Sequence, residues 1–172
     1  MKPELKAADE LIDARSDARW AARRTGPWAE TLRDLYRLFL EREGPIPVDE
    51  IPRRLPGRID ETLREALAAL DAEDLVIVRD GRVTAAYPFS GEVTGFAVIL
   101  PDGRRRYACC AIDALGIAPM LGQRIEVRSG CHHCGAPLAF LVDVAGPAAG
   151  MEEILVWVGE WGRAEGRRAT SL

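Results

Sequence analysis

The amino-acid sequence predicts an α+β fold, and three features of its 172 residues lead to that prediction. Apolar residues recur at helical spacing through most of the first half. Two strand-like runs then meet at a tight turn, and the second half consists mainly of strand-like runs around one short helix. Helices and strands that are segregated along a chain are typical of this class. We therefore expect a helical unit with a hairpin over residues 1–90 and a small domain with a mixed β-sheet over residues 91–172.

Helices are predicted in the first half from the spacing of apolar residues and from the breakers that follow them. Glycine and proline end the first two helices, at Gly26-Pro27 and Gly44-Pro45. The first helix is expected to dock on the body of the protein or on a second copy of the chain, which leaves a homodimer open. The predicted helices cover about residues 3–24, 28–43, 47–54 and 59–73.

A hairpin is predicted after these helices, with alternating strands in LVIVRDGRVTAAYPF around the turn Asp80-Gly81. Three helices followed by a hairpin is the order of a winged-helix unit, which binds DNA with one helix in the major groove. Between Trp28 and Ser90, however, nine Lys and Arg stand against thirteen Asp and Glu, and the last helix is itself acidic. Phosphate would be repelled, so we expect a winged-helix-like scaffold and no nucleic-acid partner.

The second half is expected to place one short helix among strands. The runs GEVTGFAVIL, RIEVRS and PLAFLVDVA are strand candidates, and MEEILVWVGEW is a further strand or a short mixed element. Between the first two runs, RRYACCAIDALGIAPMLG is expected to become helical near Ala108. The short helix would then carry a Cys-Cys-x-x-Asp element in its first turn.

Composition favours a cytoplasmic bacterial protein with no membrane partner. No apolar run approaches the roughly 18 to 20 residues of a membrane helix, and the first residues are charged where a secretory signal would be apolar. The net charge of −4 gives no electrostatic reason to expect nucleic acid or an anionic membrane. Heavy use of Ala, Arg and Gly fits a GC-rich genome. In a reducing cytosol, the four cysteines are expected to be metal ligands or reactive thiols rather than disulfides.

The first cysteine pair, Cys109-Cys110, is followed closely by Asp113. With a helix that begins near Ala108, the carboxylate lies one turn above both sulfurs and can serve both thiols. Thiols in the first helical turn feel the positive end of the helix dipole, which lowers their pKa toward that of a metal-binding thiolate. Burial as small core residues is the alternative. An adjacent pair beside an aspartate, with another pair further along the chain, favours a thiol site.

The second pair lies in the turn Cys131-His132-His133-Cys134-Gly135, a C-x-x-C-G knuckle. Its two sulfurs suit a tetrahedral ion at roughly 2.3 Å. A closed zinc site needs four ligands, so Cys109, Cys110 or one of the two histidines would have to complete it. The alternative is a turn with two unliganded thiols.

The run RRYACCAIDALGIAPMLGQRIEVRSGCHHCGAPLAFLV resembles the organomercurial (alkylmercury) lyase family. Members of that family show an Arg-x-Tyr-Ala-x-Cys-Ala-x-Asp element, a Pro-x-x-x-Gly turn, a strand, and a Cys followed by Gly-Ala-Pro. The resemblance implies that Cys110 attacks mercury, that Asp113 shuttles the proton and that Cys131 is structural. It also implies a fold that begins with a winged-helix-like region.

The chain departs from the family pattern in its other cysteines. The family has a second mercury-binding cysteine well downstream, whereas this sequence has no cysteine after Cys134. Cys109 stands where the family usually has an aromatic residue, and Cys134 where it usually has no ligand. Either residue is therefore a candidate for the second thiolate.

The function predicted from the resemblance is protonolysis of carbon–mercury bonds. Two thiolates bind the mercury of R–Hg⁺, and a nearby acid protonates the leaving carbon. We assign Cys110 as first nucleophile, Cys109 or Cys134 as second thiolate, and Asp113 as proton relay. No organic cofactor is needed, and cellular thiols are expected to help release Hg(II).

Two other functions stay open on the same scaffold. One is a soft-metal binding or sensing protein that holds Zn(II), Cu(I) or Hg(II) with a subset of the ligands Cys109, Cys110, Cys131, Cys134, His132 and His133. The other is a metal-responsive transcription factor, which the acidic helix disfavours.

Overall fold

The structure is a computed structural model that describes residues 6–7, 10, 21, 25–54, 60–151 and 153–157. The helix predicted over residues 3–24 therefore lies outside the described residues, apart from a few isolated positions. Within the described ranges the chain combines helices with an antiparallel sheet, which confirms the α+β class. The helices are α1 (Ala29–Glu41), α2 (Ile51–Arg54, preceded by the 3-10 turn Val48–Glu50), α3 (Asp60–Ala72) and α4 (Ala111–Leu121).

Short strands alternate with these helices and dominate the second half. They are β1 (Ile46–Pro47), β2 (Val76–Arg79), β3 (Arg82–Ala86), β4 (Phe89–Ser90), β5 (Ala97–Ile99), β6 (Arg105–Ala108), β7 (Ile125–Gly130), β8 (Pro137–Asp143) and β9 (Gly146–Pro147). The predicted hairpin is confirmed as β2 and β3. Asp80 and Gly81 both have positive φ in its turn, which matches the right-handed twist of the flanking strands.

In the described residues, all nine strands belong to one sheet in the order β1-β3-β4-β6-β5-β7-β8-β9, with β2 also paired to β3. Every one of these pairs is antiparallel. The prediction of a small mixed sheet confined to residues 91–172 was therefore wrong. The alternation of apolar and polar residues along a strand does not show whether its partners are parallel or antiparallel. Because β4 pairs with both β3 and β6, the strands of the first half continue into the sheet of the second half. The division at residue 90 stays a prediction.

Two strand predictions in the second half were too generous. Of GEVTGFAVIL only Ala97–Ile99 is a strand. Before it, the Thr94 side chain takes the place of strand pairing: its Oγ1 donates to the Ala108 carbonyl of β6 at 2.6 Å and accepts from the Phe96 N–H. Of MEEILVWVGEW, the described residues 151 and 153–157 form neither helix nor strand. Apolar alternation alone cannot make a strand without a partner that accepts its hydrogen bonds.

The core lies between the helices and one face of the sheet. The amphipathic face of α1 buries Leu35 and Phe39, and Ile117 of α4 belongs to the same buried cluster. None of the helices in the described ranges combines the length and apolar character needed to cross a membrane.

Arg106 of β6 joins the sheet to the carboxyl end of α1. Its side chain is only 6% exposed. Its Nε donates to the Phe39 carbonyl at 2.7 Å and to the Leu40 carbonyl at 3.0 Å. The last carbonyls of a helix have no partner within the helix, so the guanidinium supplies hydrogen bonds that would otherwise be missing. Arg104 adds a further donor to Leu40 at 2.7 Å. Strand β6 is thereby held against α1.

We expect Arg106→Met to lower the free energy of unfolding by about 2 kcal/mol, because it keeps the aliphatic stem and leaves buried carbonyls without their charged donor. Urea unfolding followed by circular dichroism measures this loss. The neighbouring Arg105 is exposed and provides a matched control, since Arg105→Met should stay within about 0.5 kcal/mol of the parent. Equal losses in both variants would contradict this role for Arg106.

Candidate thiol site

Cys109 and Cys110 lie where β6 passes into α4. Cys110 has an extended backbone, with φ −150° and ψ 179°, and it caps the helix: its Sγ accepts a hydrogen bond from the Asp113 N–H at 3.4 Å. Because Cys110 takes the cap position, the helix begins at Ala111, whereas the sequence had predicted a start near Ala108. Cys109 therefore precedes the helix instead of sharing its first turn with Asp113.

A direct contact joins the Cys110 thiol to the Asp113 carboxylate. The thiol donates to Asp113 Oδ2, with 3.1 Å between sulfur and oxygen. Cys110, the cap residue, and Asp113, the third helical residue, thus hydrogen-bond to each other in both directions. The arrangement is like a capping box in which the Cys110 thiol replaces the backbone N–H as the second donor. The predicted partnership between a thiol and the carboxylate is present for Cys110.

The prediction that both thiols have a lowered pKa was wrong. Burial and the negative charge of Asp113 raise the pKa of Cys110 to about 12 and outweigh the opposing hydrogen bonds from the backbone N–H groups of Asp113 and Ile112. Burial, again followed by the charges of Asp113 and Cys110, raises the pKa of Cys109 well above its ordinary value. The favourable field at the helix start is the smaller effect. At neutral pH both groups are therefore thiols.

Tyr87 is a neighbour of this pair that sequence reasoning missed. Strand β4 pairs with β6 so that Phe89 lies opposite Ala108, and the Cys109 N–H donates to the Pro88 carbonyl at 3.0 Å. Burial raises the pKa of Tyr87, and the charges of Cys109, Asp74, Asp113 and Cys110 raise it further, so its phenol lies within their field. No motif links Tyr87 to the cysteines, because only strand pairing brings them together.

The second cysteine pair lies in the turn between β7 and β8. The Cys131 N–H donates to the Ala136 carbonyl, and the Gly135 N–H donates to the Cys131 carbonyl, both at 2.8 Å. Gly135 has a φ of +72°, a conformation that favours glycine. Cys131 is half-buried, whereas His132, His133 and Cys134 are exposed.

Hydrogen bonds within this turn converge on one sulfur. The backbone N–H groups of Cys134 and His133 and the thiol of Cys134 donate to the Cys131 sulfur and lower its pKa below the ordinary value. The pKa of Cys131 is thus shifted in the opposite direction to the pKa values of Cys109 and Cys110.

No closed metal site is formed by the residues that the structure describes, although these include every cysteine and both histidines. In those ranges no three His, Cys, Asp or Glu side chains gather where one ion could contact them all. Among the described residues, neither Cys109 nor Cys110 forms such a group with Cys131 and Cys134. The described residues supply two pairs of thiols, and each pair by itself provides two sulfur ligands.

Both pairs lie at the same end of the sheet. Strands β6 and β7 flank β5 and run in the same direction, with Tyr107 and Arg128 both opposite Ala97. Cys109 follows the end of β6, and Cys131 follows the end of β7. Two strand spacings, about 10 Å, separate these strands.

Known proteins share this part of the chain. The family model described as alkylmercury lyase matches residues 89–171. An alkylmercury lyase of Staphylococcus epidermidis is 27% identical over 115 residues, which are 64% of this chain and 49% of that protein. The chain thus spans about half the length of this curated relative.

A solved structure, the mercury-bound form of MerB2, is similar with a TM-score of 0.50 and 19% identity, and the match covers 68% of this chain and 65% of that one. At this identity the likeness shows a similar fold. The family match contains both cysteine pairs and Asp113. On these grounds the second half of the chain is similar to the organomercurial (alkylmercury) lyases.

Proposed function

We propose that the protein cleaves the carbon–mercury bond of organomercurials by protonolysis, with Cys110 and Cys109 as sulfur ligands and Asp113 as proton relay. The observation that carries this proposal is the hydrogen bond of 3.1 Å from the Cys110 thiol to Asp113 Oδ2. It joins a mercury-binding atom to a proton acceptor before any substrate arrives. The similarity to the alkylmercury lyase family model over residues 89–171 supports the same chemistry.

The first step is attack by Cys110 on the mercury of R–Hg–X, where X is a cellular thiolate. The raised pKa of Cys110 means that the thiol must lose its proton as the sulfur–mercury bond forms, and the bonded carboxylate of Asp113 accepts it. The second thiol, Cys109, then displaces X, which leaves with the Cys109 proton. The mercury now carries two protein sulfurs and the organic group.

The second step is transfer of the proton from Asp113 to the carbon bound to mercury. The two sulfurs donate electron density to mercury and weaken its bond to carbon, whose electron pair accepts the proton. The products are the hydrocarbon RH and Hg(II) held by two sulfurs. No oxidation state changes, and the step requires no organic cofactor. Cellular thiols then remove Hg(II) from the protein.

Cys109 is the better candidate for the second thiolate. Burial raises the pKa of Cys109, and the charges of Asp113 and Cys110 raise it further, so the three groups share one environment. Cys134 is exposed on another turn of the described structure. The adjacent pair also suits an ion that prefers two soft ligands.

The first half is proposed to be a winged-helix-like scaffold. The order α1-β1-α2-α3-β2-β3, with β1 and β2 both paired to β3, supports this assignment. The excess of acidic residues between Trp28 and Ser90 argues against nucleic acid as partner. The chemistry also favours the cytoplasm, because reduced thiols persist there and the four cysteines are free.

A soft-metal binding or sensing function without bond cleavage is the second candidate. The neighbouring sulfurs of Cys131 and Cys134 favour it, since they can hold an ion without Asp113. Methane production from methylmercury separates the two functions. A binding protein would retain mercury and release no hydrocarbon.

Substitution of the thiol and its carboxylate is expected to stop the reaction in different ways. Cys110→Ser keeps a cap for α4 but removes the mercury ligand, so methane from methylmercury in excess thiol should become undetectable. Asp113→Asn keeps the size of the side chain but cannot relay a proton, so the rate should fall by about a hundredfold to ten-thousandfold. Gas chromatography of the headspace measures both.

Met120→Ala provides a control on the same helix, because Met120 lies at the far end of α4 and is 41% exposed. Its methane production should equal that of the parent. Undiminished methane from Asp113→Asn would rule out the proton relay.

The second thiolate is identified by a matched pair of variants. We expect Cys109→Ser to lose single-turnover methane production, because a single sulfur cannot activate the carbon–mercury bond sufficiently. Cys134→Ser should retain it. The opposite pattern, with activity lost only in Cys134→Ser, would transfer the role to Cys134.

A further inference from the structure

The lyase reaction proposed above leaves the turn Cys131–Cys134 without a role. Its two cysteines are three residues apart, as in metal-binding knuckles, and the turn is held by backbone hydrogen bonds from the Cys131 N–H to the Ala136 carbonyl and from the Gly135 N–H to the Cys131 carbonyl. Cys134 is exposed, unlike the half-buried Cys109 and Cys110. The turn thus carries one exposed thiol, at Cys134, and one half-buried thiol, at Cys131, on a defined piece of backbone.

The ligand set of this turn indicates which ion it suits. A structural zinc site needs four ligands. Among the described residues, no third His, Cys, Asp or Glu joins the two sulfurs in a metal-holding group. Two soft sulfurs without further donors suit an ion that is stable with two thiolates, as Hg(II) is. The two exposed histidines are not required by such a site.

The position of the turn relates it to the buried pair. It follows β7, and the buried pair follows β6, at the same end of the sheet with only β5 between the two strands. The distance between the strands is about 10 Å. The two cysteine pairs therefore follow strands that are two spacings apart at one end of the sheet.

We infer that Cys131 and Cys134 form a second mercury site, which receives Hg(II) from Cys109 and Cys110 and presents it to cellular thiols. The origin of the ion rests on the proposed lyase function, whereas binding at the turn does not. Transfer of Hg(II) to Cys131 and Cys134 would leave Cys109 and Cys110 available to bind the next substrate.

The transfer is a ligand exchange without oxidation or reduction. Two bonds from mercury to the sulfurs of Cys109 and Cys110 break, and two bonds to the sulfurs of Cys131 and Cys134 form. The protons of the incoming thiols pass, through solvent or thiol, to the outgoing sulfurs. The buried pair returns to its thiol form, ready for a further organomercurial.

The test is the amount of Hg(II) that the full chain retains. Reduced protein is loaded with mercuric chloride and desalted in thiol-free buffer, and mercury per chain is measured by mass spectrometry. The parent should retain two equivalents, each with two sulfurs by X-ray absorption. Cys134→Ser should lose one equivalent, while the double variant His132→Ala, His133→Ala should keep both.

A kinetic arm follows a single turnover of methylmercury and then adds a small dithiol chelator. We expect Cys134→Ser to release methane like the parent but to lose the fast phase of Hg(II) transfer to the chelator. A parent that retains one equivalent, or a Cys134→Ser variant that retains two, would overturn the second site. Absence of methane from the parent would overturn the lyase function alone, because the loading measurement needs no bond cleavage.

Cys134 is exposed and outside any helix or strand, so its substitution should leave the fold intact. Equal thermal midpoints for the parent, Cys134→Ser and the histidine variant verify this. If the midpoints are equal, the loss of one equivalent of Hg(II) in Cys134→Ser is due to the missing sulfur and not to unfolding.

Discussion

The constraint on which the rest of the structure depends is the position of strand β6. Arg106 ties it to the carboxyl end of α1, and β4 and β5 pair with it on either side. Each of these interactions uses a strong donor or a full ladder hydrogen bond in a dry environment, where an unpaired group is costly. The chain leaves this strand directly into Cys109 and Cys110. The scaffold of the first half therefore orients the thiols of the second.

Two opposing effects act on the pKa values of Cys109 and Cys110: burial raises them, and the start of a helix lowers them. A helix start alone favours thiolate, but the sheet buries both sulfurs and the carboxylate of Asp113 adds a like charge. The outcome is a protonated thiol already bonded to a base. In the proposed reaction, which must deliver a proton to carbon, this arrangement would store that proton beside the sulfur proposed to bind mercury.

The exposed turn shows the opposite balance with the same residue type. At Cys131, hydrogen bonds from backbone N–H groups and from the Cys134 thiol lower the pKa, and burial, which raises it, is the smaller effect. One cysteine pair is therefore suited to chemistry in a protected site, and the other to exchange with solvent. Their difference arises from the strands and turns that carry them.

The sequence by itself determined the features that depend on near neighbours. These are the α1 helix, the hairpin at Asp80-Gly81, the spacing of Cys110 and Asp113, and the motif that indicated the family. Only the tertiary structure decided the protonation of the thiols, the proximity of Tyr87 and the placement of both cysteine pairs at one end of the sheet. The physical reason is that periodicity and turn chemistry act over a few residues, whereas burial and charge sum contributions from strands that lie far apart along the chain.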